Sequence, residues 1–436
     1  MRCVVGLCAM PALALAQTTS PATAPGEQVA EDQPLEWGVD LGVEHSDNIE
    51  RTSVDEQSES VGIAGLSLRA TTDRPRLAGR IAANLQYRDY LDDTFQSELA
   101  GGLDALGTYS LIPQRLTWMF GDNYGQIANE RQAADTPANR QDVNFFTTGP
   151  DVTFGFGQRM ALRLGGRYSN AYYEDSPLDN DSLAVTAALI RQLSDTSSWS
   201  LNGSNRKVEY DEDLFSDYEI REGYLRFEAA GARTNLSLDA GYTEVEQGDE
   251  TSDGLLARLN LTRKVATRSR VGLQAGTEFS TSGDALRRSQ EIGGVITQSE
   301  DTIASSDAFR SDYAYLTFNT DWTRGGFSAV LNTRQESHET VTDLDRDLYG
   351  GTLGISRQLS PRMDAGFQAG YAHEKFVNTD FDFDEWSVGA TFAWRFTEQL
   401  SLRIRVDHLE GSSNNGSRDY EENRGYIGIA YVRRRT

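Results

Sequence analysis

The sequence predicts an all-β chain: about twenty antiparallel strands, in the range 18 to 22, running up and down and closing on themselves. Three observations predict it. Apolar residues recur at every second position from residue 34 to the end, the connections between such segments are alternately short and long, and the aromatic residues gather at segment ends in one register.

Taken in order, the chain opens with MRCVVGLCAMPALALAQ, in which Arg2, the mostly apolar run 3–15 and Ala14-Leu15-Ala16 read as a secretory signal cleaved after Ala16. Both cysteines, Cys3 and Cys8, fall inside it, so residues 17–436 hold none and disulfide or cysteine-metal chemistry is excluded there. Residues 17–33, QTTSPATAPGEQVAEDQ, are rich in Pro, Thr and Ala and read as a flexible periplasmic lead-in.

From residue 34 a single domain runs to 436. Its first strand is legible in LEWGVDLGVEHSDNIE (35–50), where Leu35, Trp37, Val39, Leu41 and Val43 alternate with Glu36, Gly38, Asp40, Gly42 and Glu44. The pattern returns in RLAGRIAANLQY (76–87), ELAGGLDALGTY (98–109), RMALRLGGRY (159–168) and NLSLDAGY (235–242). It continues in RVGLQAGTEF (270–279), RMDAGFQAGY (362–371), EWSVGATFAWRF (385–396) and QLSLRIRVDHL (399–409). Side chains of a strand alternate between two faces, so each segment has one apolar face and one polar or glycine-bearing face. Pro150, inside DVNFFTTGPDVTFGF (142–156), has no ladder donor and predicts a bulge or a late strand start.

A soluble sandwich would also alternate, and the connections decide. The gaps 46–58, 127–141, 211–217, 282–309, 338–346 and 410–419 are long and mostly acidic, whereas TDRP (72–75), FGQR (156–159), GAR (231–233), TRGG (323–326) and TEQ (397–399) are short. Short turns at one end and long loops at the other are the asymmetry of an outer-membrane barrel. The aromatic residues agree. Trp37, Trp118, Trp199, Trp322 and Trp394 fall at the short-turn end, while Tyr87, Tyr168, Tyr242, Phe279, Tyr371 and Trp386 fall at the other, all in the apolar register. Amphipathic rings settle at the two membrane–water boundaries and form girdles there, which a sandwich core has no reason to reproduce. The expected class is therefore a transmembrane outer-membrane β-barrel, in contact with outer-membrane lipid and lipopolysaccharide. No 18-residue apolar run follows the N-terminus, which leaves no helical span. A formal net charge of −25 excludes nucleic acid as a partner, since phosphate binding needs clustered Lys and Arg.

The polar register would line a lumen. On early strands it places Arg80, Arg88, Arg163 and Arg167 inward with Asp40 and Asp104; on middle strands Arg206, Arg226 and Arg258 with Glu228, Asp239 and Glu278; and later Asp321, Asp364, Arg403 and Arg405, with Tyr313 and Tyr315. These charges either pair across neighbouring strands and stiffen the wall or offer a polar track to a hydrated solute. The four histidines could form an acid/base or metal site, but His45, His373 and His408 sit at upper strand ends in the lipid-facing register and His338 in an upper loop, which favours a girdle role. No metal-binding His pair and no Gly-x-Ser-x-Gly elbow occurs. Asp343, Asp345 and Asp347 imitate a calcium loop, but Leu348 and Gly354 stand where that loop needs Gly and Glu. No enzyme activity, metal or cofactor is expected. The 28-residue stretch 282–309 carries Ile292, Val295, Ile296 and Ile303, and is expected to fold over or into the mouth.

The exit SDNI (46–49) of the first strand, followed by VGIAGLSLRA (61–70) and LAGRIAANLQYRDYLDD (77–93), resembles the β-barrel porin family associated with exopolysaccharide and exosortase (PEP-CTERM) gene clusters. The resemblance implies an outer-membrane location, a role in polysaccharide secretion and periplasmic export components as partners, and it lends no catalytic residue. The alternatives are a porin for small hydrophilic molecules and a non-conducting structural or adhesive barrel. Barrels of this class usually end on an aromatic residue; here Ile427, Ile429 and Tyr431 are followed by VRRRT (432–436).

Overall fold

The computed structural model of the chain describes residues 33–130, 132–212, 214–293 and 304–434. The expected signal 1–16 and, but for its last residue, the lead-in 17–33 lie outside the described residues, as do Arg435, Thr436 and the apolar Val295, Ile296 and Ile303.

Twenty strands pair in sequence order. The first ten are β1 (Gln33–Ser46), β2 (Glu59–Arg74), β3 (Leu77–Tyr90), β4 (Glu98–Ile112), β5 (Leu116–Ala128), β6 (Arg140–Phe156), β7 (Met160–Tyr173), β8 (Asn180–Ser194), β9 (Ser197–Tyr210) and β10 (Tyr218–Ala230). The rest are β11 (Thr234–Gln247), β12 (Glu250–Ala266), β13 (Ser269–Ser280), β14 (Phe309–Trp322), β15 (Gly325–His338), β16 (Arg346–Ser360), β17 (Met363–Phe376), β18 (Phe381–Arg395), β19 (Leu400–Ser413) and β20 (Tyr420–Arg434). β1 pairs antiparallel with β20 as well as β2, for instance Leu41 with Ile429, so the sheet closes into a barrel with no free edge. Among the described residues the one α-helix, α1 (Ser282–Gly293), lies in the connection between β13 and β14.

Turns at one end run two to four residues. At the other end the connections are mostly longer, with two exceptions that the sequence pattern did not single out: 248–249 joins β11 to β12 and 377–380 joins β17 to β18. Strand lengths of 12 to 17 residues exceed the 9–11 needed to cross a bilayer, so the strands continue past the membrane at the loop end. Pro150 brings neither the expected bulge nor a late start: β6 runs from Arg140, and its ladder with β7 is interrupted after Thr148–Tyr168 and resumes in the same register at Asp151–Gly165, while Arg167 Nη1 donates to the Pro150 carbonyl at 3.1 Å.

Burial assigns the faces. Leu41 is 67% exposed while Glu44 on the opposite face of β1 is 1% exposed, and the pairings carry that parity around the wall. The outside is a belt of exposed Val, Leu and Phe, such as Leu183, Leu201, Leu255 and Phe367. Trp37, Trp118, Trp199, Trp322 and Trp394 share that face at the short-turn end, and Tyr87, Tyr168, Tyr242, Tyr371 and Trp386 at the other. Phe279 is the exception. Pairing of β12 with β13 stops at Ala257–Thr277, and the released Phe279 is buried with Val208, Tyr218, Ile220, Val245 and Ala308. Its place is in an apolar cluster under the loops and not in the girdle.

Candidate translocation path

The inward register holds all eighteen side chains expected in the lumen, and the geometry shows what most of them touch. Glu44 on β1 accepts from Arg88 on β3 (2.6 Å) and from Arg405 on β19 (2.6 Å), tying three strands around the closing seam. Arg80 meets Asp104 at 3.0 Å, and Arg167 meets Asp151 at 2.6 Å. A longer chain of charge crosses β10 to β13: Arg226 grips Asp239 with two bonds of 2.6 and 2.7 Å, and Arg258 reaches Glu222 at 2.6 Å and also Glu278. Tyr313 donates to Glu278 at 3.0 Å, Tyr315 packs beside Tyr313, and Asp364 pairs with Arg395. Tyr426 donates to Asp40 at 3.3 Å. Arg163 sits near Asp151 and Glu228. Arg403 and Asp321 make no side-chain ion pair among the described residues. Inward charges in a low-dielectric wall need partners, and nearly all of them have one on a neighbouring strand. Stiffening the wall is therefore the first thing these residues do.

The loop end is bridged by its own connections. Arg51, in the β1–β2 loop, is 5% exposed; its guanidinium binds Glu422 at 3.0 Å and Asp135 of the β5–β6 loop at 3.3 Å, and lies over the Tyr420 ring at 5.1 Å. Burial alone would weaken that charge, but Tyr420, Asp135 and Glu422 together hold its pKa well above the ordinary value. Arg140 binds the same Asp135 at 2.7 Å. From this anchor the β5–β6 loop reaches the β17–β18 loop on the far side of the barrel, where Gln132 donates to Thr379 at 2.8 Å. Beside it, Arg346 is wholly buried between Glu336 and Glu374, both at 2.6 Å.

The expectation that 282–309 enters the mouth holds for its described part. Thr281-x-x-Asp284 builds a capping box: the Asp284 N–H donates to Thr281 Oγ1 at 3.2 Å, and the Thr281 N–H donates back to the carboxylate at 3.3 Å. Leu286 then inserts, fully buried, among Ile127, Val143, Ala171, Tyr173 and Leu178. Gly283 lies against the Phe145 ring so closely that a Cβ there would sit 2.8 Å from it. Asp284 binds Arg206 of the wall at 3.1 Å, and Arg288 binds Glu278 at 2.6 Å while covering the Tyr313 ring at 4.1 Å. Burial would raise the Asp284 pKa, yet Arg206, Arg287 and the bond from Thr281 hold it well below the usual carboxylate range. The described anchors are Asp284 and Leu286, which the sequence reading did not single out. The signal for them was TSGDAL (281–286), a Thr-x-x-Asp box ahead of apolar residues.

The histidines do not converge. His45 meets Ser60 at 3.1 Å, His373 meets Asp384 at 2.9 Å and stacks on Tyr349, and His408 meets Asn423 at 2.9 Å, all on the outer face. His338 is buried against Phe309 instead. No cluster of three metal-ligating side chains occurs among the described residues.

No family model and no curated protein matches the chain. Among solved structures it is similar to the siderophore receptor PirA from Acinetobacter baumannii, at 9% identity and TM-score 0.46 over 92% of this chain and 81% of that one. It is also similar to OccK2 (OpdF) from Pseudomonas aeruginosa in complex with glucuronate, at 9% identity and TM-score 0.38 over 93% and 99%. A third is the FrpB iron transporter from Neisseria meningitidis, at 11% identity and TM-score 0.41 over 91% and 82%. Likeness at this level carries no argument about activity. What the chain's own geometry establishes is a closed twenty-stranded transmembrane β-barrel with a charged interior and a loop-bridged mouth.

Proposed function

We propose that the protein is an outer-membrane channel for hydrophilic solutes, held shut at its outer mouth by its own loops. The observation that carries this reading is the pair of buried-charge anchors, Arg51 on Asp135 and Glu422, and Asp284 on Arg206, which pin the β5–β6 loop and α1 across a charged lumen. Barrels of 16–18 strands leave an aqueous channel and 22-stranded ones need a plug, so a twenty-stranded wall with loops drawn over its mouth fits a gated pore. The test is conductance of the purified barrel in planar bilayers. Rare openings in the native protein and steady ones after replacing residues 130–138 with a Gly-Ser linker are expected. A shortened-loop variant that stays folded and silent would leave a non-conducting structural barrel.

The second reading takes exported polysaccharide as the cargo. It rests on the family resemblance and on the pairing of tyrosine rings with arginines inside the wall, at Tyr224, Tyr313 and Tyr426, since rings and multidentate donors suit sugars. A deletion strain would then lose polymer from the medium and accumulate it in the periplasm. Unchanged polymer in both fractions would remove this reading and leave the solute channel standing.

A further inference from the structure

Most ion pairs along the lumen wall share an order that the net charge hides: the guanidinium stands nearer the lumen and the carboxylate nearer the wall. The Arg405 side chain is 38% exposed against 1% for its partner Glu44, and Arg258 is 25% exposed against 9% for Glu278. Arg80 over Asp104, Arg226 over Asp239 and Arg395 over Asp364 follow the same order. The cause is local. Aspartate is short, and a glycine directly across the ladder gives it a niche. The Asp407 carboxylate lies 2.5 Å from where a Cβ of Gly389 would stand, Asp151 lies 2.6 Å from that of Gly165, and Asp40 rests on Gly65 in the same way. Arginine has the longer stem and reaches over its acid. A chain of formal net charge −25 thus turns cations toward its lumen.

At the closing seam this order builds a site. Arg405 binds Glu44 through Nη2 at 2.6 Å and Asp407 through Nε at 2.8 Å, and its Nη1 has no partner among the described residues. Two residues along the same face of β19, about 7 Å away, Arg403 makes no ion pair among the described residues. Beside both, the Tyr426 ring lies against Gly42 and Gly428, which face each other across the β1–β20 seam; a Cβ on Gly42 would stand 2.5 Å from the ring. Arg405 covers that ring at 5.7 Å, and the Tyr426 hydroxyl is held by Asp40 at 3.3 Å. The exposed inward carboxylate Asp321 lies on β14, on another part of the wall. Two guanidiniums with unused donors therefore edge a flat aromatic floor. Guanidinium matches carboxylate geometry, and an aromatic face takes the apolar face of a ring. A neutral sugar would leave the guanidiniums without an acid, and a bare inorganic anion would leave the ring uncovered.

We propose that the seam of β19, β20 and β1 binds a uronate, its pyranose ring on Tyr426 and its carboxylate at Arg403 and Arg405. The proposal rests on the reading of the lumen as a solute path and names the class of solute. It does not need the mouth to open, because Tyr426 lies four residues along β20 from the loop anchor Glu422, toward the short-turn end. The test is calorimetric binding of galacturonate, galactose and inorganic phosphate to the full chain purified in detergent. Galacturonate should bind roughly tenfold or more tightly than galactose, and Arg403→Gln should weaken it about tenfold. Tyr426→Leu should lose a similar factor and Tyr426→Phe, which keeps the ring, none; heat-modifiability on gels reports that each variant is folded. A galacturonate trimer binding more tightly than the monomer would mark the uronate as part of a polymer, and equal affinity would mark a free solute; both support the site. Equal affinity for galactose and galacturonate, displacement of galacturonate by equimolar phosphate, or native affinity in Arg403→Gln would each overturn it. Binding without conductance would keep this site and remove the channel, whereas conductance without binding would keep the channel and remove the site.

Discussion

Asp284→Ala tests the internal helix most directly. The carboxylate is 18% exposed and holds Arg206 at 3.1 Å, Arg287 at 2.8 Å and the Thr281 hydroxyl at 3.0 Å. Removing one member of a buried pair costs about 3–5 kcal/mol; the residual exposure of both partners reduces that to about 2–3 kcal/mol. Each 1.4 kcal/mol is tenfold, so the docked fraction of α1 should fall by roughly 100-fold relative to the undocked form. Burial of Leu286, worth about 2 kcal/mol, still favours docking, so the helix should visit the open arrangement and not leave permanently. Hydrogen exchange of the Ala285–Arg288 amides should accelerate by roughly that factor, and single-channel recordings should show longer open times. Asp284→Asn, which retains an acceptor for the cap but not the charge, should fall between the two. Unchanged exchange at Ala285–Arg288 together with unchanged conductance would refute the claim that this ion pair holds the helix in the mouth.

Arg51→Ala should uncouple the β1–β2 and β5–β6 loops and raise open probability, and, because it leaves Glu422 and Asp135 buried without it, should also lower the unfolding temperature on heat-modified gels. Arg346→Leu should instead destabilise by about 3–5 kcal/mol, because Glu336 and Glu374 are left buried and unpaired; the triple change with Glu336→Gln and Glu374→Gln should recover most of it, measured by urea unfolding in detergent. The pH response of α1 follows from the depressed Asp284 pKa. A lowered carboxylate contributes above its unfolded value, near pH 3.9, and the contribution is lost only as pH falls through the folded one, so exchange protection of α1 should be flat from about pH 5 to 8 and weaken only in strong acid. Gly149→Ala should fail to assemble, since a Cβ there would lie 1.9 Å from the Gly166 carbonyl beside the interrupted ladder at Pro150.

The wall was legible because lipid enforces a strict rule. Every second residue from Leu35 to Val43 must be apolar, and one slip in register would turn Glu44 into the bilayer. The same parity brought Arg80, Arg226 and Arg405 to the inner face, although it could not say that each would be occupied by a neighbour. At the mouth that rule lapses. Arg51 and Asp135 are 84 residues apart and obey no period, and Phe279 follows the alternation yet turns inward because its strand has parted from β12. The β5–β6 loop read only as a long gap for the same reason: its anchors are single long-range contacts. Only the capping box at Thr281 and Asp284 left a local trace.

The seam between β1 and β20 has a consequence for how the barrel comes into being. Val39 finds Tyr431 only after the whole chain has been made, so the first strand keeps an unsatisfied edge throughout synthesis and export. An open sheet of that length invites pairing with the wrong chain. The last event is therefore the decisive one: Arg405 and Ser46 reach Glu44 and Glu422 only when the ends meet, so closure and burial of these charges occur in one step. A chain truncated by even one hairpin would keep its strands and lose its ending, and the cell would face a sticky ribbon and not a smaller barrel.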